Sequence, residues 1–254
     1  MQAHPRTLRT RRLPYSKAYS QICARIFRSL CLWVLLATST AVMAEEIESA
    51  IARGGRLYDM WWLEKGQKKP KSLHPAFSKK DEKFTTDSWR CKECHGWDYQ
   101  GRFGDYATGP HATGIKGIDG AIGKNPASIA GILRDKNHRY TAEQLDDKDI
   151  ADLALFVTRG QIRLSPYFDL FGKPRGSSAR GEVYYATICG GCHKPDGAGE
   201  SRSLGDAGED RAETIHKIFN GQPGEDMPAL RALDPQITLD IAAHITRLPN
   251  GKRR

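Results

Sequence analysis

Two short segments of the chain place cysteine and histidine residues in the same order. Residues 91–95 read CKECH and residues 189–193 read CGGCH. Two thiols at this spacing lie on one turn of helix and can form thioethers with both vinyl groups of one porphyrin, and the histidine that follows then lies beneath the iron. The pattern predicts two covalently bound haem c groups. Their thioethers would form at Cys91, Cys94, Cys189 and Cys192, and their proximal iron ligands would be His95 and His193.

Other uses of paired cysteines fit the pattern less well. The alternatives are a zinc site, a thioredoxin-like dithiol and a disulfide pair, and neither of the first two needs a histidine directly after the second cysteine. The pattern also occurs twice in a chain with only two further cysteines, Cys23 and Cys31. Haem attachment is therefore the favoured interpretation, and it leaves no cysteine after residue 44 for a structural disulfide.

The N-terminal 44 residues have the composition of a secretory signal peptide. A basic region without acidic residues precedes an apolar run over 30–43, and a small residue, Ala44, stands before two glutamates. The apolar run is shorter than the roughly 20 residues that a membrane-spanning helix needs. An uncleaved membrane anchor is the alternative. We expect residues 1–44 to be removed on export to the periplasm, which leaves a mature chain without a membrane span.

The net charge of the chain comes mostly from this segment. Seven of the 39 basic residues and none of the 30 acidic residues lie in 1–44, so the rest of the chain carries +2 rather than +9. A nearly neutral chain gives no electrostatic support to nucleic-acid binding. We therefore expect no nucleic-acid partner.

The two haem sites lie in similar surroundings, which indicates an internal repeat. Residues 53–58 resemble residues 179–184, and each segment opens an apolar-periodic stretch that predicts a helix. Residues 126–133 correspond to residues 212–219 further along the chain. The repeat predicts two units of similar structure.

Each unit ends in a helix with a recognisable start. Asp146 precedes one of these helices, and Asp234 with the proline after it precedes the other. An aspartate cap and a proline at the first helical position are typical of helix starts. Residues 161–178 are rich in Pro, Gly and Ser, which predicts a linker between a first domain over 45–160 and a second over 179–254.

The units differ in the segment before the haem-binding cysteines. In the second unit the first predicted helix runs directly into Cys189, whereas residues 63–90 precede Cys91 in the first unit. This insert contains lysine runs at 68–71 and 79–83. We interpret the insert as a solvated loop. The alternative is that its lysines form a docking site for an acidic partner.

Three helices around a haem, with C-x-x-C-H at the end of the first, resemble the class I cytochrome c domain. The resemblance covers most of residues 46–160 and 179–254. It implies a mainly α fold of two class I cytochrome c-like domains, each a few helices around a covalently bound haem. Class I cytochromes place a thioether ligand in the loop before the last helix, and Met227 occupies that place in the second unit. The resemblance therefore implies His193/Met227 ligation of the second haem.

The sixth ligand of the first haem follows from the repeat, because no methionine lies in the matching loop. Alignment of the two last helices places His138 within one residue of the position of Met227, which predicts His95/His138 ligation. The main rival is His111. It follows a Gly-Pro pair that resembles the pair in class I cytochromes whose carbonyl accepts a hydrogen bond from the proximal histidine. If Pro110 has that role, His111 lies on the proximal side of the haem.

The remaining histidines and aromatic residues are interpreted as structural. We expect His74, His216 and His244 at the surface or in packing, and Met60 in the core. Aromatic residues also cluster in sequence around the first C-x-x-C-H segment. Those expected to pack against its haem are Trp61, Trp62, Trp89, Trp97, Tyr99 and Tyr106.

Unequal axial ligands on two haem groups predict an electron-transfer protein. A methionine ligand raises the potential, so electrons would pass from the first haem to the second. The redox partners would be a donor dehydrogenase or membrane complex and an acceptor cytochrome or oxidase. The alternative is a dihaem enzyme, peroxidase-like or sulfur-compound oxidising, with a displaceable ligand on the N-terminal haem. Sulfur-oxidising dihaem proteins of similar plan ligate the catalytic iron with a cysteine, and the chain after residue 44 has none to spare.

Overall fold

The helices of the described part of the chain pack around one hydrophobic cluster that both units share. The computed structural model describes residues 45–77, 87–199, 203–208 and 210–251. The predicted signal peptide over 1–44 and the lysine run at 79–83 lie outside the described residues. Within the described ranges, the residues from Ile47 onward belong to one unit.

The fold is mainly helical, as predicted, and no strand occurs in the described ranges. The helices in chain order are α1 (45–64), α2 (Cys91–His95), α3 (Pro126–Leu133), α4 (Asp147–Leu155), α5 (Ser178–Ile188), α6 (Gly190–His193), α7 (Leu204–Ala207), α8 (Arg211–Asn220) and α9 (Pro235–Ile245). A π-helical turn, Phe156–Gly160, extends α4. Among the helices described, none is long and apolar enough to cross a membrane.

Side-chain caps begin the helices at the predicted positions. The Asp146 side chain accepts a hydrogen bond from the backbone N–H of Asp149 at 3.0 Å. The Asp149 carboxylate in turn accepts one from the backbone N–H of Asp146, which completes a capping box. At the start of α9, Asp234 accepts the N–H of Gln236 at 2.8 Å, and a proline occupies the first turn. These caps satisfy backbone donors that a helix start otherwise leaves unpaired.

In the first unit α1 packs closely against α4. The contact occurs at Gly54, where a side chain would overlap the carbonyl oxygen of Asp152 on α4. The neighbouring Arg53 donates to the Asp152 carboxylate at 2.7 Å. Tyr58, one turn further along α1, donates its hydroxyl to the carbonyl of Gly96 at 2.6 Å and so ties α1 to the residue after the haem-binding segment.

The second unit repeats this arrangement. A side chain at Gly181 on α5 would overlap the carbonyl oxygen of Asp240 on α9, and Arg180 donates to the Asp240 carboxylate at 2.7 Å. Tyr185 donates to the carbonyl of Lys194 at 2.8 Å. The contacts therefore pair Gly54 with Gly181, so the sequence alignment of 53–58 with 179–184 was wrong by one residue.

A polar cluster joins α8 of the second unit to α1 of the first. His216 on α8 is fully buried, and its Nε2–H donates to the carbonyl of Gly55 at 3.0 Å while its Nδ1 accepts the Tyr99 hydroxyl at 2.8 Å. Lys217 donates to the Asp59 carboxylate at 2.9 Å. Burial alone would raise the pKa of Asp59, but the charges of Lys217 and Arg90 outweigh it and lower the pKa.

The predicted linker over 161–178 also contributes to the core. Tyr167 and Phe168 are buried, and the Tyr167 ring lies edge-on to Phe219 of α8 with the ring centres 5.7 Å apart. The chain between the units is therefore packed against the second unit along part of its length.

Candidate functional site

His95 is the last residue of α2, and one of its ring nitrogens hydrogen-bonds a backbone carbonyl. Its Nδ1–H donates to the carbonyl of Lys116 at 2.7 Å, which leaves Nε2 as the atom available to a metal. Burial lowers the pKa of His95 to about 4, so the ring is in the neutral form that ligation needs. The carbonyl that orients His95 is that of Lys116 and not that of Pro110, so the condition that would place His111 on the proximal side is not met.

His138 lies in the loop after α3 and is oriented in the same way. Its Nδ1 donates to the Asp135 carboxylate at 3.2 Å, and its backbone N–H donates to the same oxygen at 3.0 Å. The backbone bond is the main reason that the pKa of Asp135 falls to about 2. The Nε2 atom of His138 is again the nitrogen left for a metal.

The imidazole rings of His95 and His138 lie close together with similar ring planes. The ring centres of His95 and His138 are 6.3 Å apart, and the ring planes differ by 24°. Two imidazoles on opposite sides of one metal ion have centres about 6 Å apart, since each metal–nitrogen bond is about 2 Å and each ring adds roughly 1 Å. The separation of the two ring centres therefore matches the separation expected for two histidines on one iron, and ligation by this pair stays a prediction.

The first pair of thiols lies beside these rings in an apolar environment. Burial raises the pKa of Cys91 to about 11 and that of Cys94 to about 12. The Cys91 sulfur is 3.9 Å from the Tyr140 hydroxyl. A reactive redox dithiol needs a lowered pKa, so these protonated thiols do not support the thioredoxin-like alternative and fit thioether attachment.

Buried aromatic residues lie near the first C-x-x-C-H segment in the chain, and their contact with a haem stays a prediction. Tyr140 was not singled out from the sequence, yet it is buried and packs edge-on to Trp61 and Trp89 at 6.2 and 5.6 Å between ring centres. The six predicted aromatic residues are buried as well: Trp61, Trp62, Trp89, Trp97, Tyr99 and Tyr106. This shell makes the first site part of the hydrophobic core.

The rival histidine lies in a different environment. The Nδ1 of His111 donates to the Glu93 carboxylate at 3.0 Å, and its ring stacks on Tyr106 with the centres 4.8 Å apart. Glu93 lies between the two cysteines of α2 and is buried. Met60, which was expected in the core, is partly buried and packs against it.

The second site is more open to solvent. Helix α5 runs directly into α6, where Cys189 is half-buried and Cys192 is exposed. The Nδ1 atom of His193 is buried and lacks a hydrogen-bond partner among the described residues. Met227 is half-buried in the loop between α8 and α9, as predicted, and its role as a ligand stays a prediction.

The same backbone hydrogen bond forms a turn after the histidine of each C-x-x-C-H segment. The carbonyl of His95 accepts the N–H of Gly101 at 2.9 Å, and the carbonyl of His193 accepts the N–H of Gly199 at 3.0 Å. The bonded residue lies six positions after the histidine in each case. The N-terminal segment therefore has the backbone turn of the C-terminal one.

Two histidines that were expected at the surface or in packing lie in packing. His74 and His216 are buried, and both use their two ring nitrogens in hydrogen bonds whose partners the sequence did not indicate. Their partners lie up to 161 residues away in the chain, and no local pattern signals such contacts.

Comparison with known proteins gives one match. Residues 176–245 match the family model described as cytochrome C oxidase, cbb3-type, subunit III. The match supports a c-type cytochrome that carries haem and transfers electrons, and it covers the second C-x-x-C-H segment but not the first. Neither the search of curated proteins nor the search of solved structures gives a match.

Proposed function

We propose that this chain is a dihaem cytochrome c that transfers electrons between redox partner proteins. Haem c supplies one-electron redox chemistry at its iron when bound, and the protein fixes its ligands and surroundings. The N-terminal haem would be attached at Cys91 and Cys94, with His95 and His138 as axial ligands. The C-terminal haem would be attached at Cys189 and Cys192 with His193 and Met227.

The proximity of the His95 and His138 imidazoles carries the proposal. Each ring donates through Nδ1 to a fixed acceptor and keeps Nε2 for the iron. The 6.3 Å separation of their centres matches the space that one iron needs. A second haem domain is further supported by the paired contacts of Gly54 and Gly181 with the last helix of each unit.

The different ligands give electron transfer a direction. Histidine and methionine on one iron give a higher potential than two histidines on the other, so we propose transfer from the N-terminal to the C-terminal haem. The buried aromatic shell around the N-terminal site favours a closed, six-coordinate centre.

The structure gives less support to the peroxidase-like alternative. A peroxidase would have to release the sixth ligand of one haem. The His138 loop is instead held by hydrogen bonds at its backbone N–H, its ring and its carbonyl. We favour electron transfer for this reason.

Location and partners follow from the same proposal. Haem attachment to two cysteine pairs and an N-terminal segment of signal-peptide composition favour a periplasmic protein. The donor would be a dehydrogenase or membrane complex, and the acceptor a cytochrome or oxidase.

The ligand assignment is tested by low-temperature electron paramagnetic resonance of the mature holoprotein. The wild type should show two low-spin ferric signals, one from a bis-histidine haem and one from a histidine–methionine haem. His138→Met should remove the first signal and raise the lower midpoint potential. His111→Met is the matched control and should change neither. An unchanged spectrum in His138→Met, or a changed one in His111→Met, would refute the assignment.

A further inference from the structure

The insert between α1 and α2 contacts the loop that carries His138. The contact is made by His74, whose side chain is only 6% exposed. Its Nδ1 accepts the backbone N–H of Ala76 at 3.2 Å, so its Nε2 carries the proton and donates to the carbonyl of His138 at 3.0 Å. With both nitrogens occupied, His74 acts on the loop and is not itself placed to bind iron.

His74 is also fixed to the chain that leads into α2. Its backbone N–H donates to the Ser88 hydroxyl at 3.0 Å, and its ring lies edge-on to Trp89 with the centres 4.6 Å apart. The Trp89 indole N–H donates to the carbonyl of Ser72 at 2.7 Å. These contacts link the segment before Cys91 to the segment that holds His138.

We propose that His74 is a positioning residue that holds His138 over the N-terminal haem iron. The inference rests on the proposed ligation by His138 and extends it to the described residues of the insert that surround His74, 65–77 and 87–90. One end of this connection is next to the haem-attaching cysteines, and the other is the carbonyl of the ligand itself. The distance between the proximal and distal sides is thereby fixed by the protein.

The comparison of the two units supports this role. In the second unit α5 runs directly into α6, so that unit has no counterpart of residues 65–77. Its predicted sixth ligand is a methionine in a loop of different sequence. The insert and the histidine ligand therefore occur together in one unit.

The experiment measures carbon monoxide binding to the reduced mature holoprotein. At saturating carbon monoxide the rate equals the rate at which the sixth ligand leaves the iron. His74→Phe removes the bond to the His138 carbonyl, and the N-terminal phase should become about tenfold faster, the effect of one buried hydrogen bond. The phase of the C-terminal haem should be unchanged. Ferric His74→Phe should also show a high-spin resonance signal that is weak in the wild type.

Two further variants make the result specific. His74→Gln keeps an N–H at the position of Nε2 and should bind carbon monoxide within about twofold of the wild-type rate. His111→Phe is the matched control outside this connection and should match the wild type. If His74→Phe does not fold, Ser88→Ala should give about a threefold acceleration, because it removes the hydroxyl that holds the His74 backbone.

The outcomes separate this inference from the proposed ligation. If His138→Met leaves the resonance spectrum unchanged, the ligation fails and the inference falls with it. If His138→Met changes the spectrum but His74→Phe, or Ser88→Ala in its place, binds carbon monoxide at the wild-type rate, the ligation stands and the role of His74 is wrong. Equal acceleration in His74→Phe and His74→Gln would also overturn that role, because the hydrogen bond would then not matter.

Discussion

The close contact of the first and last helices in each unit can be tested with glycine substitutions. In Gly54→Ala the new methyl group would overlap the Asp152 carbonyl and lie 2.7 Å from the Phe156 Cβ, where carbon atoms normally approach to about 3.5–4.0 Å. The carbonyl belongs to the backbone of α4 and cannot rotate away. Overpacking of this kind costs about 3 kcal/mol.

The helix propensity of alanine offsets about 1 kcal/mol of this cost, so the free energy of unfolding should fall by about 2 kcal/mol. A chain of this size should then melt roughly 4–8 °C lower. Gly181→Ala should have a similar effect, since its methyl group meets the Asp240 carbonyl. Gly131→Ala is the matched control, because nothing lies within 4 Å of its new methyl group in α3.

The assay is thermal unfolding of the three holoproteins, followed by circular dichroism and by haem absorption. Gly131→Ala should melt at the wild-type temperature or roughly 2–4 °C higher. The reasoning is refuted if Gly54→Ala melts as high as Gly131→Ala. If Gly181→Ala is destabilised and Gly54→Ala is not, the N-terminal unit is not built on the same helix crossing.

Three other predictions concern buried polar groups. Burial lowers the pKa of His216 from 6.5 to about 3, so between these pH values only the unfolded chain takes up a proton on this ring. The free energy of unfolding should therefore decrease as the pH is lowered, by up to about 1.4 kcal/mol per pH unit. Urea titrations from about pH 7 to pH 4 should show a shallower pH dependence in His216→Gln, and an equal slope would contradict this. Tyr58→Phe removes the hydrogen bond to the Gly96 carbonyl, and Tyr185→Phe removes the one to the Lys194 carbonyl. Each variant should lower the free energy of unfolding measured in urea by about 1 kcal/mol. Wild-type stability in either variant would contradict a contribution from its hydrogen bond. Asp59→Asn removes the negative charge that neutralises Arg90 and Lys217, and it should lower the free energy of unfolding in urea by about 3 kcal/mol. The control Asp226→Asn changes an exposed residue and should leave the free energy of unfolding unchanged. Similar values for the two variants would show that the cluster contributes little.

The parts of this molecule that depend on neighbours in sequence were predicted correctly. The caps at Asp146 and Asp234 act on N–H groups two or three residues away, so their effect is visible in a short window. The helical character of the chain follows from the same local patterns. The aromatic residues near the first C-x-x-C-H segment were expected to be buried because a haem site excludes water.

The errors concern contacts between distant residues. Two adjacent glycines, Gly54 and Gly55, look equivalent in sequence, and only the position of α4 decides which one meets Asp152. The acceptor for His95 is a backbone carbonyl, which every residue type has, so nothing in the sequence distinguished Lys116 from Pro110. A lysine-rich insert is typically solvated, and its one buried histidine gave no sign of a partner 64 residues away.

The polar cluster between α1 and α8 has a consequence for the independence of the two units. Separation of the halves in the 161–178 segment would expose the His216 ring and the amide of Asn220, which now lies against Gly55, to water. We therefore expect each half, expressed alone, to be less stable than it is in the intact chain, although residues 176–245 match a family model on their own.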